Sequence, residues 1–270
     1  MIKLTAMIEV NRIESRDNAR LVRARKIRDG REKDRVFIEG RRLVEEAAGS
    51  SLAIEEAYVA ENFGDRELVE RLARKGIEIY HLPEHLFRSI AATEHPQGIA
   101  VIARRPVHTI TDLEVPEGSI PLFIFLKEIN NPANLGAVMR AAEAAGAAAI
   151  FISRRSADAY SPKSLRAAMG SAFRLNIVEE ADLSSILSMA RERGVRSLAV
   201  DNAGGGSYLD VDWRQPHLLM FGSEAHGLTE EDKMQVTEHI SIPMAGTVES
   251  LNLAVAVGVV LFEARRRFYM

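Results

Sequence analysis

The sequence predicts an α/β protein whose carboxy-terminal part is a parallel sheet covered by helices. Apolar segments of strand length alternate with helical segments along the chain, which is typical of α/β folds. In the carboxy-terminal half, these segments are continuously apolar, as expected of strands buried on both faces. Polar loops follow three of them, and ligands of such sheets usually bind beyond the carboxyl ends of the strands. The pattern therefore also predicts where a ligand binds.

Two unequal domains are expected. Residues 1–106 are predicted to form the smaller one, with helices over 18–30, 41–48 and 65–75, a short helix after residue 81, and strands over 36–39, 54–59, 77–81 and 98–103. Residues 104–120 contain two prolines and little helical periodicity, so a linker is placed at 107–120. Residues 121–270 form the second domain, with strands over 122–126, 148–152, 198–200, 217–221 and 240–242 and helices near 134–145, 163–170, 182–193 and 250–267.

Composition excludes several classes of protein. The 270 residues contain no cysteine, which excludes disulfides, thiolate zinc sites and cysteine nucleophiles. The seven histidines are scattered and no HExxH spacing occurs, so we expect no metal. No apolar run approaches the ~20 residues of a membrane span, and the first residues do not resemble a secretory signal. The expected location is the cytoplasm.

A basic segment stands out against the formal net charge of −3. Residues 12–35 contain ten Lys or Arg and five Asp or Glu. One interpretation is an RNA-binding patch that neutralises phosphates, with Arg23, Arg25, Lys26 and Arg28 as the candidate contacts. The other is a solvated helix stabilised by pairs such as Asp29 with Lys33. Charge alone does not separate the two.

Of the three strand-end loops, the first leads into an alanine-rich helix that contains Asn134 and Arg140. Arg140 is the sole charge between Asn134 and Glu143, and it is either a surface arginine or an anion clamp. The second loop, in LLMFGSEAHGL, has no GK[ST] ending, and no strand leads into GxGxxG, so nucleotide hydrolysis and dinucleotide binding are unsupported. His226 in that loop is interpreted as a solvated side chain.

The third loop runs through Pro243 and Gly246 into an apolar helix. It places Glu249, Ser250 and Asn252 at the helix start, where backbone N–H groups lack intrahelical partners. A ligand could therefore be held there largely by main chain. The convergence of all three loops on one crevice would define the site.

Together the loops resemble a known family. NPANLGAVMRAAEAAGA, FGSEAHGL and ISIPMAGTVESLNLAVAVGVVLFEA resemble motifs one, two and three of the SpoU (TrmH-like) RNA 2′-O-ribose methyltransferases of the SPOUT superfamily, in the family's order and spacing. They span most of residues 118–267. FIEGRRLVEEA and EHPQGIAVIA resemble segments of the ribosomal-protein-like α/β domain that binds substrate in many of these enzymes.

The resemblance implies a deep trefoil knot formed by residues 238–265 and the loop before them, a homodimer, and S-adenosylmethionine bound within the knot. By motif position, the implied catalytic residues are Arg140, Asn134, Glu224, Ser250 and Asn252. The implied cofactor contacts are Gly222, Ile242, Leu251, Leu219, Met244 and Ser250.

The implied reaction is methyl transfer to a ribose 2′-hydroxyl of RNA. Because a guanidinium is a poor base, Arg140 is expected to hold a phosphate while a phosphate oxygen or water takes the proton. The amino-terminal domain favours ribosomal RNA, and the nucleotide stays open. The alternatives are a transfer RNA methyltransferase and a catalytically silent RNA-binding or ribosome-assembly protein of the same fold. An unrelated α/β ligand-binding enzyme is a more distant one.

Overall fold

The computed structural model describes residues 11–115, 118–201, 205–248 and 250–266. They divide into two compact units. The first contains residues 11–106 and Tyr160–Leu165, and the second contains Val107–Ala159 and the described residues from Arg166 onward. No helix in these ranges is long and apolar enough to cross a membrane.

The first unit is a five-stranded mixed sheet with helices. Its strands are β1 (Asn11–Arg12), β2 (Arg35–Glu39), β3 (Ile54–Ala60), β4 (Glu78–Leu82) and β5 (Ile99–Arg104), and its helices are α1 (Ala19–Arg28), α2 (Arg41–Gly49), α3 (Arg66–Arg74) and α4 (Glu84–Ile90). The strand order is β1-β4-β3-β5-β2, with β5 antiparallel to both neighbours. The predicted α/β character of this domain is confirmed.

Helix α1 forms despite its density of charge. The side chain of Asn18 accepts a hydrogen bond from the backbone N–H of Arg20 and so caps the helix start. Leu21, Ala24 and Ile27 are buried at helical spacing and belong to the same apolar cluster as the residues of the sheet. One apolar stripe therefore holds the helix against the sheet of the first unit.

The second unit is a seven-stranded sheet in which every neighbouring pair is parallel. Its strands are β6 (Leu122–Leu126), β7 (Ala149–Ser153), β8 (Ile177–Ala181), β9 (Arg196–Val200), β10 (Gly206–Ser207), β11 (His217–Phe221) and β12 (Glu238–Ser241). The helices along this part of the chain are α5 (Pro132–Ala144), α6 (Pro162–Ala168), α7 (Leu183–Glu192), α8 (Glu230–Met234) and α9 (Leu253–Arg266), with single 3-10 turns at Ile110–Asp112, Ser171–Phe173 and Tyr208–Asp210. The predicted parallel sheet is confirmed.

The strand order of this sheet is β10-β12-β9-β11-β6-β7-β8. Strands β6 and β11 are paired at the centre and every residue in both is buried. Strand β12, the last in the chain, lies between β10 and β9, both of which precede it in sequence. The carboxyl ends of β9, β11, β6 and β12 therefore meet at one edge.

Helix α5 begins at that edge. Asn131 caps it by accepting a hydrogen bond from the N–H of Ala133, and Pro132 occupies the first turn, where a missing N–H costs nothing. Helix α9 packs against α5. Both helices thus start beside the ends of the central strands.

Candidate functional site

A cavity of about 540 Å³ opens at the carboxyl edge of the second unit's sheet. Its walls are residues 221–227, Ile242, Met244 and 250–253, together with Asn134, Val200, Asp201 and Ala256. The three polar loops selected from the sequence therefore border one cavity. Glu249, which was grouped with Ser250 and Asn252, lies outside the described residues.

Hydrogen bonds join the three loops at this cavity. Asn134, on α5, donates from Nδ2 to Oε1 of Glu224 at 3.2 Å. Its Oδ1 accepts from Nδ2 of Asn252 at 3.1 Å. The other carboxylate oxygen of Glu224 accepts from the N–H of Asn130 at 3.4 Å. We call Asn134, Glu224 and Asn252 the polar junction. Because Asn134 donates to one neighbour and accepts from the other, the orientation of its amide is fixed.

The second loop is closed by its own main chain. Ser223 and Gly227 exchange backbone hydrogen bonds of 3.2 and 2.9 Å, and the N–H of His226 donates to Oγ of Ser223 at 3.1 Å. A Cβ on Gly222 would lie 1.9 Å from the carbonyl carbon of Gly227. Only glycine therefore fits at residue 222 in this conformation. His226, interpreted from sequence as solvated, is exposed and borders the cavity.

Ion pairs fix the segments behind this wall. Lys127, which follows β6, pairs with the buried carboxylate of Asp232 in α8, and Asp232 also caps that helix with Thr229. Burial raises the pKa of Asp232, but the hydrogen bonds from Lys127 and Thr229 outweigh it, so the net pKa is lowered. Helix α8 is thus tied to the loop that leads to Asn134.

The next residue, Lys233, pairs with Asp201 at the end of β9 and with Oε1 of Glu230 at 2.9 Å. The hydrogen bond to Asp201, followed by the one to Glu230, raises the pKa of the Lys233 ammonium group. Asp201 and Val200 were not predicted as cavity residues, because the three polar loops selected from the sequence follow other strands. The signal available in the sequence was the acidic residue itself, since Asp201 directly follows the strand predicted over 198–200.

Arg140 lies elsewhere. Its side chain is on the exposed face of α5, outside the cavity lining, and its guanidinium has no hydrogen bond or ion pair with any residue in the described ranges. Leu219 is fully buried within β11 and is also outside the lining. The other candidate cofactor residues, Gly222, Ile242, Met244, Ser250 and Leu251, all border the cavity.

In the first unit, three of the four candidate RNA contacts are engaged within the protein. Arg23 donates to Glu32 from Nη2 at 2.6 Å and lies 3.4 Å from the buried carboxylate of Glu56 on β3. Arg25 donates to the hydroxyl of Ser89 at 3.3 Å and to the carbonyl of Arg16 at 3.0 Å. These side chains attach α1 to the rest of the unit.

Arg28 is held in the same way, by Oδ1 of Asp29 at 2.8 Å and the carbonyls of Ser89 and Ala91 at 3.2 and 3.1 Å. Lys26 differs, because it is exposed and has no side-chain partner within the described ranges. Arg31 and Lys33, just beyond α1, share that property. We call Lys26, Arg31 and Lys33 the free cations of the first unit.

Comparison with known proteins identifies the family. Residues 121–262, more than half of the chain, match the model of the SpoU rRNA Methylase family. The chain belongs to the SpoU rRNA methylase family. Residues 37–107 match a second model, described as RNA 2'-O ribose methyltransferase substrate binding. The resemblance stated from the sequence motifs is therefore confirmed.

Relatives of this SpoU family member are similar along most of its length. An uncharacterized tRNA/rRNA methyltransferase of Mycolicibacterium paratuberculosis is 35% identical over 74% of this chain, which spans 66% of that relative. The chain thus covers just under two thirds of this mycobacterial protein. The 23S rRNA (guanosine(2553)-2'-O)-methyltransferase RlmP of Bacillus subtilis is 28% identical over 95% of this chain and 100% of its own length.

Solved structures of the family share the fold. An AdoMet-bound rRNA methyltransferase from Sinorhizobium meliloti superposes with a TM-score of 0.85 at 28% identity, covering 96% of this chain and 98% of its own. The SpoU methyltransferase AviRb of Streptomyces viridochromogenes is 24% identical and superposes with a TM-score of 0.83, covering 93% of this chain and 98% of its own. At this level of identity, the comparison supports the fold alone.

Proposed function

We propose that this SpoU family protein transfers a methyl group from S-adenosylmethionine to a ribose 2′-hydroxyl of RNA, with ribosomal RNA as the favoured substrate. The observation that supports this most directly is the polar junction, in which side chains from three separate loops meet beside the cavity. The name of the Bacillus subtilis relative, whose whole length aligns with this chain, supports the choice of ribosomal RNA.

The cavity fits the proposed cofactor. Its volume is within the range of about 300–1,000 Å³ usual for small-molecule sites. Val200, Ile242 and Leu251 offer apolar surface for an adenine. Gly222 lies in the cavity wall, and its lack of a Cβ lets the main chain at Gly227 and Leu228 approach closely. When bound, S-adenosylmethionine supplies a methyl group on a positively charged sulfur. Gly222, Ile242, Met244, Ser250 and Leu251 are the residues proposed to hold it.

The chain's own groups orient the hydroxyl and help to remove its proton. A ribose hydroxyl is almost fully protonated at neutral pH, so its proton must leave as the new bond forms. The amides of Asn134 and Asn252 are fixed by the polar junction and can position the hydroxyl. Arg140 is proposed to bind an RNA phosphate through its free guanidinium, and a phosphate oxygen or a water then accepts the proton.

We further propose a homodimer. Arg140 lies outside the cavity of its own chain, and α9 exposes Val255 and Phe262, with 50% and 52% of their surfaces accessible. The two side chains are two turns apart on one helix, so a partner chain that covered this face would bury both. The knot over residues 238–265 and the cytoplasmic location also remain proposals. The position of β12 between two earlier strands supports the knot.

The free cations of the first unit are proposed to bind RNA phosphates. Replacing Lys26, Arg31 and Lys33 together with alanine is expected to weaken RNA binding and to lower the slope of log Kd against log salt by about two to three, since each contact releases about one counterion. Filter binding across a salt titration measures this. The matched control replaces Arg12, Arg88 and Arg104, which have the same charge but are paired with acidic residues. Equal slopes for the two triple variants would contradict the assignment.

The test of the function itself is transfer of labelled methyl groups to total ribosomal RNA and, separately, to total transfer RNA. Alkaline hydrolysis follows, because a 2′-O-methyl group blocks cleavage at its nucleotide. Label in alkali-resistant dinucleotides from ribosomal RNA is the expected result. Label in transfer RNA alone would favour the transfer RNA alternative. Cofactor binding without transfer to either RNA would favour the silent binding protein.

A further inference from the structure

Asp201 is a cavity carboxylate that the polar junction does not use. It directly follows Val200, the last residue of β9, and both residues border the cavity. Its side chain is 18% exposed and is ion-paired with Lys233, which is 13% exposed. The cavity therefore has two carboxylates with separate partners, namely Glu224 in the polar junction and Asp201 at the end of β9.

The partners of Asp201 define what it can bind. Lys233 neutralises the carboxylate and, through its second contact with Glu230 at 2.9 Å, is itself held in place. A carboxylate has about four lone-pair sites, and the ion pair with Lys233 does not occupy all of them. A neutral group can donate a hydrogen bond to the Asp201 carboxylate while Lys233 stays in place. A second ammonium group would instead compete with Lys233 for the same negative charge. The site thus favours hydroxyl donors.

A cofactor with an adenosyl group has two adjacent hydroxyl donors on its ribose. Acidic side chains at strand ends commonly accept from adenosine ribose hydroxyls in other α/β folds. The polar junction marks the end of the cavity where an RNA hydroxyl must arrive, and Val200 and Asp201 form a wall contributed by a different strand. We propose that Asp201, oriented by Lys233, binds the ribose hydroxyls of the cofactor's adenosyl group. This inference rests on the proposed function.

The experiment measures binding rather than turnover. Calorimetry with the full chain gives the Kd of S-adenosylhomocysteine, of its 2′-deoxy and 3′-deoxy analogues, and of 5′-methylthioadenosine. In the unaltered protein, at least one deoxy analogue is expected to bind about tenfold more weakly than the parent, the loss typical of one hydrogen bond to a charged group. In Asp201→Ala, the parent and both deoxy analogues are expected to bind with the same reduced affinity.

The controls separate this role from a structural one. Glu231→Gln removes an exposed carboxylate of the helix that contains Lys233. This carboxylate has no side-chain partner among the described residues and lies outside the cavity lining, so its removal is expected to leave all four affinities unchanged. Thermal melting without ligand checks that the Asp201→Ala variant is folded. If that variant is unfolded, the same measurements are made on Asp201→Asn, which keeps the shape of the side chain.

Three results would overturn the inference. In the first, the deoxy analogues keep their disadvantage in the Asp201 variant. In the second, its affinities equal those of the unaltered protein. In the third, the effect of the substitution disappears with 5′-methylthioadenosine, which would assign Asp201 to the cofactor's amino group. If the unaltered protein binds none of the four ligands, the proposed function itself fails, which is a distinct outcome.

Discussion

Replacing Arg140 with alanine is expected to lower the rate of methyl transfer by about 100-fold or more, the usual cost of removing one group that stabilises charge at a reacting centre. The affinity for S-adenosylmethionine is expected to stay within about twofold, a change of less than about 0.5 kcal/mol. The physical reason is position. The Arg140 side chain is exposed, lies outside the cavity lining and has no partner in the described part of the chain, so its removal leaves the cavity intact.

Single-turnover transfer and calorimetry on the same preparation measure the two quantities for Arg140. Arg191→Ala is the matched control, because Arg191 is also an exposed helix arginine of the second unit without a side-chain partner among the described residues. Arg140→Lys keeps the charge but not the planar fork, so intermediate activity is expected. Unreduced turnover by Arg140→Ala would remove this residue from the mechanism. A parallel loss of cofactor affinity would show that it acts through the cavity instead.

Replacing Gly222 with alanine is expected to weaken S-adenosylmethionine binding by about tenfold to 100-fold. The added Cβ would lie 1.9 Å from the carbonyl carbon of Gly227 and 2.2 Å from the N of Leu228. Both are main-chain atoms, so the loop must open, and overpacking of this kind costs about 1–3 kcal/mol. Because that loop forms a wall of the cavity, opening it is expected to lower the affinity for the cofactor as well as the free energy of unfolding.

Calorimetry gives the affinity of Gly222→Ala, and urea unfolding gives its stability. Gly206→Ala is the matched control, since a Cβ at that glycine of the same unit meets no atom within 4 Å. The control is expected to bind the cofactor as the unaltered protein does. Normal cofactor binding by a folded Gly222→Ala protein would mean that the loop can rearrange without cost, and that main chain near Gly222 is not a cofactor contact.

Much of the fold was predictable because burial on both faces produces an unambiguous pattern. Strands β6 and β11 were predicted with their observed bounds, since their sequences are continuously apolar between polar loops. Strand β8 was missed for the opposite reason. It lies at the sheet edge, contains Glu179 and Glu180, and Glu180 has a positive φ of 52°. An edge strand with a solvated face and an irregular backbone has no such apolar signature.

The candidate site was predictable only in part. Asn134, Glu224 and Asn252 follow or flank strand ends, so their convergence could be expected from sheet topology. Asp201 could not, because its significance depends on Lys233, a residue on a short helix distant in sequence. The arginines of α1 illustrate the same limit. Their partners include Glu56, a buried carboxylate in a strand, and no pattern within the helix reveals it.

The order in which the cavity walls occur along the chain has a consequence for synthesis. The walls come from Asn134, residues 221–227 and residues 250–253, which are far apart along the chain. The cavity can therefore form only after all the segments from α5 to α9 have been synthesised, because β12 has to enter between β10 and β9, and α9 has to pack on α5. A ligand of this cavity would then stabilise only molecules in which these segments are already assembled.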